Sequence, residues 1–370
     1  MLKKNNKSKT LIIYAPFIEV GGIEKNLVLL TNYFTKNIKN IALITWNKED
    51  KKFFNKQVKI ICPNFFFSKF KNRYIRNLIS LFLLIKCLKN FQNCLIFSFQ
   101  SNLYATIIAK LFNVKNIIRI ASYGWMLNTF KRIIFKLILP LPNEIIVNSF
   151  ELKSHLKKKL NINSVCIYNP LDIKKINKLK KTKKKLYKKS VKILKILFIG
   201  RLVNVKNPIM FLKGLNLVNK KINYQALMIG DGSLKHKVNK YISINNLNKK
   251  VKLLKHNLNA MQYLNQCDLL ILTSNYEGLP NVLIEAQYLK KYIISTNCNT
   301  GPNEILKNGK LGKLIELGDY FSLKREIEYF YNNKNSIKIK NKIKNGFKCI
   351  QRFNYEKNCQ KYQYIVNKHL

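Results

Sequence analysis

The fold of this chain is decided by a stretch of ten residues, which reads Glu277-Gly278-Leu279-Pro280-Asn281-Val282-Leu283-Ile284-Glu285-Ala286. The apolar run before it, residues 269–273, predicts a buried strand, and the part from Asn281 onward predicts a helix. Glu277 is then expected just past the carboxyl end of a strand, with Glu285 one to two turns into the next helix. Open α/β sheets bind ligands at that edge, so two carboxylates there suit a polyhydroxyl ligand. Either glutamate alone would be interpreted as a solvated surface residue.

Strand-like apolar runs alternate with helix-length segments on both sides of a lysine-rich stretch, residues 174–189, which we interpret as a linker or a solvated helix. Such alternation predicts parallel sheets built from β-α-β units. A chain of 370 residues is too long for one core, so two α/β domains are expected. The predicted strands are residues 11–14, 41–46, 58–61, 94–99, 117–120, 145–148, 195–199, 225–229, 251–254, 269–273 and 292–295.

The formal net charge of +52 is carried mainly by lysine and is spread along the chain. Taken alone, it predicts attraction to nucleic acid, anionic lipid or phosphorylated ligands. Because Asn and Ile are also heavily used, we interpret the charge as compositional drift and expect no nucleic-acid partner. The eight cysteines form no C-x-x-C pair, which is typical of reduced thiols in a cytoplasmic protein. The longest apolar run, residues 78–85, is too short to span a membrane.

Glycines follow several predicted strands. Gly21 and Gly22 precede a segment with apolar residues at helical spacing, so they either turn the chain or help a helix N-terminus to bind an anion. The sequence of residues 200–208 is G-R-L-V-N-V-K-N-P, which places Arg201 and Lys206 at the carboxyl edge of the second sheet. A guanidinium and an ammonium there suit a diphosphate, although Lys206 alone would be interpreted as a solvated charge. I-G-D-G-S at 229–233 and G-P-N-E-I-L at 301–306 follow later strands.

The order of these motifs resembles that of the retaining glycosyltransferases of family 4. The resemblance rests on G-R-L-x-x-x-K-N, I-G-D-G, E-G-L-P-N-x-x-x-E-A and T-G-P-N-E-I-L, with G-G-I-E at 21–24 and I-Y-N-P-L-D at 167–172 before them. It implies the GT-B fold, in which two Rossmann-like domains face each other across a cleft. Residues 1–185 would bind the acceptor and 186–350 the nucleotide-sugar donor, and a helix in 351–370 would pack back on the first domain.

The resemblance also implies the site residues. Arg201 and Lys206 would hold the donor diphosphate, Glu277 the hydroxyls of the transferred sugar, and Glu285 the ribose. These first three are the predicted catalytic residues, with Glu277 positioning the sugar and not acting as a nucleophile. The predicted donor-binding residues are Gly21, Gly22, Gly200, Gly230, Leu279, Asn281, Val282 and Glu285.

The predicted activity is transfer of a hexose with retention, from a nucleotide-diphosphate sugar to a glycan or lipid-linked acceptor of surface polysaccharide or lipooligosaccharide. UDP is the nucleotide that the family suggests. No D-x-D signature is present, so neither a metal nor another cofactor is expected. Many relatives place a histidine in the first domain where this chain has R-I-A-S-Y-G-W at 119–125, which leaves Arg119 and Ser122 as candidates for that role.

Two segments of the first domain, residues 65–89 and 125–141, interleave apolar and aromatic side chains with Lys and Arg. They are either ordinary amphipathic helices or helices that dock the protein on the inner face of an anionic membrane. Two alternative functions remain open at this point. One is a basic nucleic-acid- or membrane-binding protein, and the other is a different GT-B enzyme, such as a nucleotide-sugar epimerase or a phosphorylase.

Overall fold

The computed structural model describes residues 9–18, 21–64, 72–91, 93–122, 124–181, 186–187, 193–255 and 259–370. The chain forms two compact units. One comprises Met1–Pro170 with Glu356–Leu370, and the other comprises Leu171–Tyr355. Each described unit is built on one parallel sheet, so the prediction of two Rossmann-like α/β halves is confirmed.

The sheet of the first unit has seven strands. They are β1 (Thr10–Tyr14), β2 (Asn40–Ile44), β3 (Val58–Ile61), β4 (Cys94–Ser98), β5 (Lys115–Ile120), β6 (Glu144–Val147) and β7 (Val165–Cys166). Their order is β3-β2-β1-β4-β5-β6-β7, and every pairing is parallel. The central strand β1 is buried along its whole length, as expected for a parallel sheet with helices on both faces.

The sheet of the second unit has six strands. They are β8 (Leu194–Ile199), β9 (Tyr224–Ile229), β10 (Val251–Leu254), β11 (Leu269–Leu272), β12 (Tyr292–Thr296) and β13 (Lys313–Ile315). Their order is β10-β9-β8-β11-β12-β13, again all parallel. The chain runs outward from β8 to β10 and then returns to place β11 on the other side of β8. The strand order therefore reverses between β8 and β11.

The α-helices of the described residues cover these sheets. In chain order they are α1 (Gly22–Phe34), α2 (Arg73–Asn90), α3 (Asn102–Leu111), α4 (Thr129–Ile138), α5 (Phe150–Leu160), α6 (Ile173–Leu179), α7 (Pro208–Asn216), α8 (Lys235–Ile244), α9 (Ala260–Gln266), α10 (Asn281–Tyr288), α11 (Pro302–Leu306), α12 (Tyr320–Asn333), α13 (Ile337–Lys348) and α14 (Tyr355–His369). Helix α10 begins at the predicted residue, Asn281, and helix α7 begins at Pro208, a residue typical of the first helical position.

The lysine-rich stretch begins as helix α6, and it belongs to the second unit. Leu171 N donates to Phe353 O at 2.8 Å, and Tyr288 Oη donates to Asn177 Oδ1 at 2.9 Å. Because these contacts tie the segment to the second sheet's helices, the units divide at Pro170 and not at the predicted residue 185. Residues 182–185 and 188–189 of the stretch lie outside the described residues.

The last helix, α14, belongs to the first unit. Tyr362 on this helix is fully buried, and its hydroxyl accepts a hydrogen bond from Arg119 Nε at 3.0 Å. Tyr33 Oη of α1 donates to Glu356 Oε1 at 2.9 Å. The chain therefore returns at its end to complete the core of the first unit.

Candidate functional site

Lys206 and Glu277 come from loops that follow neighbouring strands. Lys206 ends a short 3-10 helix, Asn204–Lys206, after β8, and Glu277 lies between β11 and α10. The Lys206 Nζ atom is 2.5 Å from Glu277 Oε1, and the two side chains are 22% and 9% exposed. Strands β8 and β11 flank the point where the strand order reverses, which is where doubly wound sheets bind their ligands. The pair therefore stands where a ligand of this sheet is expected.

Two hydroxyl groups donate hydrogen bonds to Glu277. Ser274 Oγ donates to Glu277 Oε1 at 2.6 Å, and Thr300 Oγ1 donates to the Glu277 backbone oxygen at 2.5 Å. Neither hydroxyl was among the residues predicted from the sequence. Ser274 directly follows a predicted strand, and Thr300 begins the T-G-P-N-E-I-L motif. Ser274 and Lys206 hold the carboxylate in one orientation, and Thr300 holds the backbone of Glu277.

The loop after β8 is anchored to the end of β11. Thr273 Oγ1 donates to Asn207 O at 2.9 Å, and Asn275 N donates to Val205 O at 2.8 Å. Asn275 Nδ2 also donates to Asn204 O at 2.9 Å. The segment that carries Lys206 is thus positioned by the strand that precedes Glu277, so the two charged groups are held by one network.

Helix α10 carries the predicted donor-binding residues Asn281, Val282 and Glu285. Glu285 is only 7% exposed, Asn281 and Val282 are half-buried, and Leu279 is buried in the loop before the helix. Pro280 precedes the helix, and its side chain makes no capping hydrogen bond to the helix N-terminus. The amides and the positive dipole end of this first turn favour an anion or a hydroxyl-rich ligand.

The glycines at this edge differ in whether they leave room for a side chain. A Cβ atom on Gly230 would lie 1.9 Å from Gly200 O, so close packing of the loops after β8 and β9 requires a glycine there. A Cβ atom on Gly200 would meet nothing closer than 3.6 Å. The neighbouring Arg201 side chain is exposed. Close packing therefore requires a glycine at position 230, whereas no contact within the described residues excludes a side chain at position 200.

A second glycine contact joins the loop of Glu277 to the loop before α11. Gly301 has a φ of +92°, and a Cβ atom on it would lie 2.1 Å from Gly278 O. Both the left-handed backbone and this close approach exclude a side chain at Gly301. The E-G-L-P-N and G-P-N-E-I-L motifs thus pack backbone to backbone.

A buried thiol lies beside the same carboxylate. Cys298 Sγ donates to Ser274 O at 3.0 Å. Burial, followed by the negative charge of Glu277, raises the pKa of Cys298 to about 12. The thiol is therefore neutral at physiological pH and serves to pack the site.

In the first unit, Gly21 precedes α1 and Gly22 begins it. The carboxylate of Glu24 folds back toward this N-terminus, because a Cβ atom on Gly21 would lie 2.7 Å from Glu24 Oε2. Gln100 Nε2, from the segment after β4, donates to Glu24 Oε1 at 3.1 Å. The helix start predicted to bind an anion thus already faces a carboxylate of its own.

The candidates for a first-domain catalytic role lie elsewhere. Arg119 is 1% exposed, and its Nη2 atom donates to Asn169 Oδ1 at 2.6 Å. Its guanidinium is therefore part of the interior of the first unit. Ser122 Oγ accepts from Gly124 N at 3.4 Å, a contact within one turn. Tyr123 lies outside the described residues.

The match to a known protein family lies within the second unit of the chain. The model of the family described as "Glycosyl transferases group 1" matches residues 174–348. This segment is therefore similar to the group 1 glycosyl transferases. All the site residues described in the second unit fall within the matched range.

Curated relatives of this chain include two proteins of Campylobacter jejuni. GalNAc-alpha-(1->4)-GalNAc-alpha-(1->3)-diNAcBac-PP-undecaprenol alpha-1,4-N-acetyl-D-galactosaminyltransferase is 34% identical over 142 residues, covering 38% of this chain and 39% of that protein. N-acetylgalactosamine-N,N'-diacetylbacillosaminyl-diphospho-undecaprenol 4-alpha-N-acetylgalactosaminyltransferase is 26% identical over 272 residues, covering 70% of this chain and 73% of that protein. The chain thus spans well under half of the first relative and about three quarters of the second.

The fold comparison extends beyond the segment that the family model matches. The crystal structure of Anabaena HepE in complex with UDP and glucose superposes with a TM-score of 0.77 at 16% identity, covering 98% of this chain and 100% of that one. At this identity the likeness concerns the fold alone. It confirms the predicted GT-B class, with both halves matched.

The described part of the matched segment offers cations and hydroxyl groups at the sheet edge. In the described residues of the whole chain, no three His, Cys, Asp or Glu side chains come together as a metal site would require. Positive charge at the edge is supplied by Arg201, Lys206 and the N-terminus of α10. That combination can bind a diphosphate and stabilise charge that develops on it.

Proposed function

We propose that this protein is a retaining glycosyltransferase that moves a sugar from a nucleotide-diphosphate donor to a glycan or lipid-linked acceptor of a surface polysaccharide. The observation that carries the proposal is the ion pair of Lys206 and Glu277 at the reversal of strand order. The pair offers a cation for the donor phosphates beside a carboxylate for the sugar hydroxyls. The family match of the same segment supports the reaction class.

The leaving diphosphate is the group that needs stabilisation. When the sugar–phosphate bond breaks, negative charge grows on the phosphate oxygens, and preorganised cations and helix N-termini can stabilise it. In our proposal Arg201 and Lys206 bind these oxygens, and the backbone of Gly200, which carries no side chain, lets the diphosphate approach. The amides at the start of α10 add a partial positive charge.

The two glutamates have separate tasks in this proposal. Glu285 lies in the second turn of α10 and accepts hydrogen bonds from the ribose hydroxyls. Glu277 is already bonded to Lys206 and Ser274, so its oxygens are held in fixed positions that suit the hydroxyls of the transferred sugar. A carboxylate held in this way positions the donor, and we do not assign it a nucleophilic attack.

The donor and acceptor classes rest on the relatives. HepE was solved with UDP and glucose, and both Campylobacter relatives are named for transfer to glycans on undecaprenol diphosphate. We propose a UDP-sugar as donor and a lipid-linked or polysaccharide glycan as acceptor. The transfer is expected to need no divalent cation, because Arg201 and Lys206 would provide the charge that a metal provides elsewhere.

A nucleotide-sugar panel tests the proposal. Thermal unfolding of the full chain would be measured with UDP-, GDP- and dTDP-sugars, since a ligand that binds only the folded state raises the melting temperature. We expect one UDP-sugar to stabilise the protein and Glu285→Ala to abolish that shift. No shift with any nucleotide sugar would contradict the proposal.

The stabilising donor would then be used for transfer to a lipid-linked glycan. We expect a product with the donor's anomeric configuration, seen by NMR, and an unchanged rate in the presence of EDTA. An inverted product would overturn retention, and strict dependence on an added divalent cation would overturn the metal-independent mechanism. These outcomes separate the mechanism from the choice of donor.

A further inference from the structure

Exposed apolar side chains form a stripe along each of three helices in the first unit. Within each helix they are spaced three or four residues apart, so they lie on one side of it. We name the three stripes together the apolar face. Its members, each between 40% and 79% exposed, are Tyr74, Leu78 and Phe82 on α2, Tyr104, Ile107 and Leu111 on α3, and Phe130, Ile133 and Leu137 on α4.

The three helices cover the same side of the sheet. Helices α2 and α3 both pack in the hydrophobic cluster that contains Ile96 of β4, and Phe135 of α4 packs on the cluster that contains Ile118 of β5. Ile96 pairs in register with Asn116, so Ile118, two residues farther along, points to the same side as Ile96. Helix α3 contacts both α2 and α4. The stripes are therefore on neighbouring helices of one layer.

Core packing does not account for this face. Helix α4 already has an inward side, on which Phe135 stacks against Trp125 with ring centroids 4.0 Å apart. Leu139, just after the helix, is 1% exposed. Phe130 and Leu137 point the other way and are more than two-thirds exposed. No residue of α4 is buried, so the apolar side that holds Phe130, Ile133 and Leu137 is not covered by the core.

The charge around the apolar face is of one sign. The sequence has no Asp or Glu between Asp50 and Glu144, while the same span holds sixteen Lys and Arg residues. Four of these, Lys110, Lys131, Arg132 and Lys136, are exposed on α3 and α4. A second copy of the chain docked through the same face would bring like charges together. An anionic surface would be complementary in both charge and apolarity.

We propose that the apolar face docks this protein onto the surface of a bilayer that contains anionic lipid. Helices with aromatic and aliphatic side chains on one side and Lys and Arg beside them lie in the plane of the membrane interface. Anionic headgroups attract the basic residues, and the apolar side chains enter the acyl boundary. No helix of the described residues is both long and apolar enough to span a bilayer. The proposal does not depend on the proposed sugar transfer.

Vesicle flotation with the full chain tests the docking. One set of vesicles contains phosphatidylcholine alone, and the other contains phosphatidylcholine with phosphatidylglycerol. The Phe82→Gln/Leu137→Gln double variant alters two exposed side chains of the apolar face. Ile244→Gln/Ile337→Gln is the matched control, since these side chains are equally exposed, at 67% and 78%, but belong to the second unit.

We expect the wild type and the control to float with the phosphatidylglycerol vesicles, and the double variant to bind them at least about tenfold more weakly. Lys131→Gln/Lys136→Gln should weaken binding to the anionic vesicles, as should added salt. Thermal stabilisation by UDP should be the same in all variants, which separates loss of docking from loss of the nucleotide site.

Failure of the wild type to bind either vesicle would overturn the proposal, as would equal binding by the apolar-face variant and the control. Analytical ultracentrifugation provides a further check. A wild-type dimer that the Phe82→Gln/Leu137→Gln variant dissociates would assign the face to self-association and would also overturn docking on a bilayer.

Discussion

Lys206 and Glu277 are bonded to each other at 2.5 Å across two loops of one sheet edge. The positive charge of the lysine expected to bind the donor phosphates is therefore balanced by the Glu277 carboxylate. A diphosphate that reaches Lys206 must share its ammonium with Glu277, and Arg201 and the first turn of α10 would then balance the added negative charge. The pair thus sets both the position of the carboxylate and the electrostatic cost of donor binding.

The Lys206→Met variant is expected to be less stable and inactive. Among the described residues, it leaves the mostly buried Glu277 carboxylate with Ser274 as its remaining side-chain donor. Losing a hydrogen bond to a charged group costs about 1–3 kcal/mol of unfolding free energy, which urea denaturation would measure. Transfer should fall by a factor on the order of 100 or more, since a cation at the developing charge is removed.

The Glu277→Gln variant tests the other member of the ion pair. Its amide oxygen can still accept from Ser274 and Lys206, so the unfolding free energy should fall by about 1 kcal/mol or less. Transfer should nevertheless drop, because the amide offers the sugar hydroxyls one acceptor in place of two. Transfer at the wild-type rate by Lys206→Met or Glu277→Gln would remove that residue from the mechanism.

Arg201→Ala is expected to lose nucleotide affinity without losing stability. The side chain is exposed, and surface substitutions usually change the unfolding free energy by about 0.5 kcal/mol or less. Loss of hydrogen bonds to the diphosphate should weaken UDP binding by about 10- to 100-fold in isothermal titration calorimetry. Arg201→Lys should recover only part of the affinity, because an ammonium cannot bind two oxygens as a guanidinium does.

Arg325→Ala, on α12, is the matched control for that experiment, because it removes another exposed arginine of the second unit. It should leave UDP affinity at the wild-type value. If Arg325→Ala weakened binding as much as Arg201→Ala, the effect would come from the overall charge of the protein and not from a contact of Arg201.

Two glycine substitutions should separate structure from ligand binding. Gly230→Ala should destabilise the protein by about 2–3 kcal/mol, because its methyl group collides with Gly200 O. Gly200→Ala should fold with nearly wild-type stability, since its methyl group would have only ordinary contacts at 3.6 Å. Its UDP affinity should fall, because the methyl group occupies space that we assign to the diphosphate. Full affinity in Gly200→Ala would place the donor elsewhere.

Cys298 should resist alkylation in the folded protein. With the pKa raised to about 12 by burial and by Glu277, roughly one thiol in ten thousand is ionised at pH 8. We expect mass spectrometry to show Cys298 unmodified by iodoacetamide at pH 8 in buffer and modified in urea. Rapid modification in buffer would show that the segment opens readily.

The same raised pKa gives the sign of a pH effect. The unfolded thiol ionises near its ordinary pKa of 9, before the folded one, so stability from the neutral thiol is present below pH 9 and is lost as the pH rises toward 12. Between pH 8 and pH 10 the unfolding free energy should therefore fall by about 1 kcal/mol less in Cys298→Ala than in the wild type. Cys349→Ala, at a half-buried position, serves as the control.

Long apolar strands and helix starts were predictable from the sequence because their signals are local. The starts of α7 and α10 follow from Pro208 and from the change of pattern at Asn281. Strands β7 and β13 were missed, because two and three residues are too few to show a period. The domain boundary depended on the contact of Leu171 with Phe353, a pairing that no local pattern reveals.

The candidate site shows the same limit. Charged residues after strands marked Arg201, Lys206 and Glu277, since parallel strands all end at one edge. The contact of Thr300 with the Glu277 backbone could not be inferred, because Thr300 reaches it from another loop. Arg119 lies near the end of a strand, which is why the sequence suggests it as a site residue. In the structure it is buried and donates a hydrogen bond to Tyr362, which is 243 residues away along the chain.

The contact between Gly278 and Gly301 has a consequence for engineering. A Cβ atom on Gly301 would reach the Gly278 carbonyl, so the two loops fit only as a matched pair. Exchanging the Glu277 loop alone with that of a relative, in order to change which sugar is used, would leave the new loop against a backbone shaped for the old one. Chimeras should therefore transplant residues 273–281 and 299–303 together.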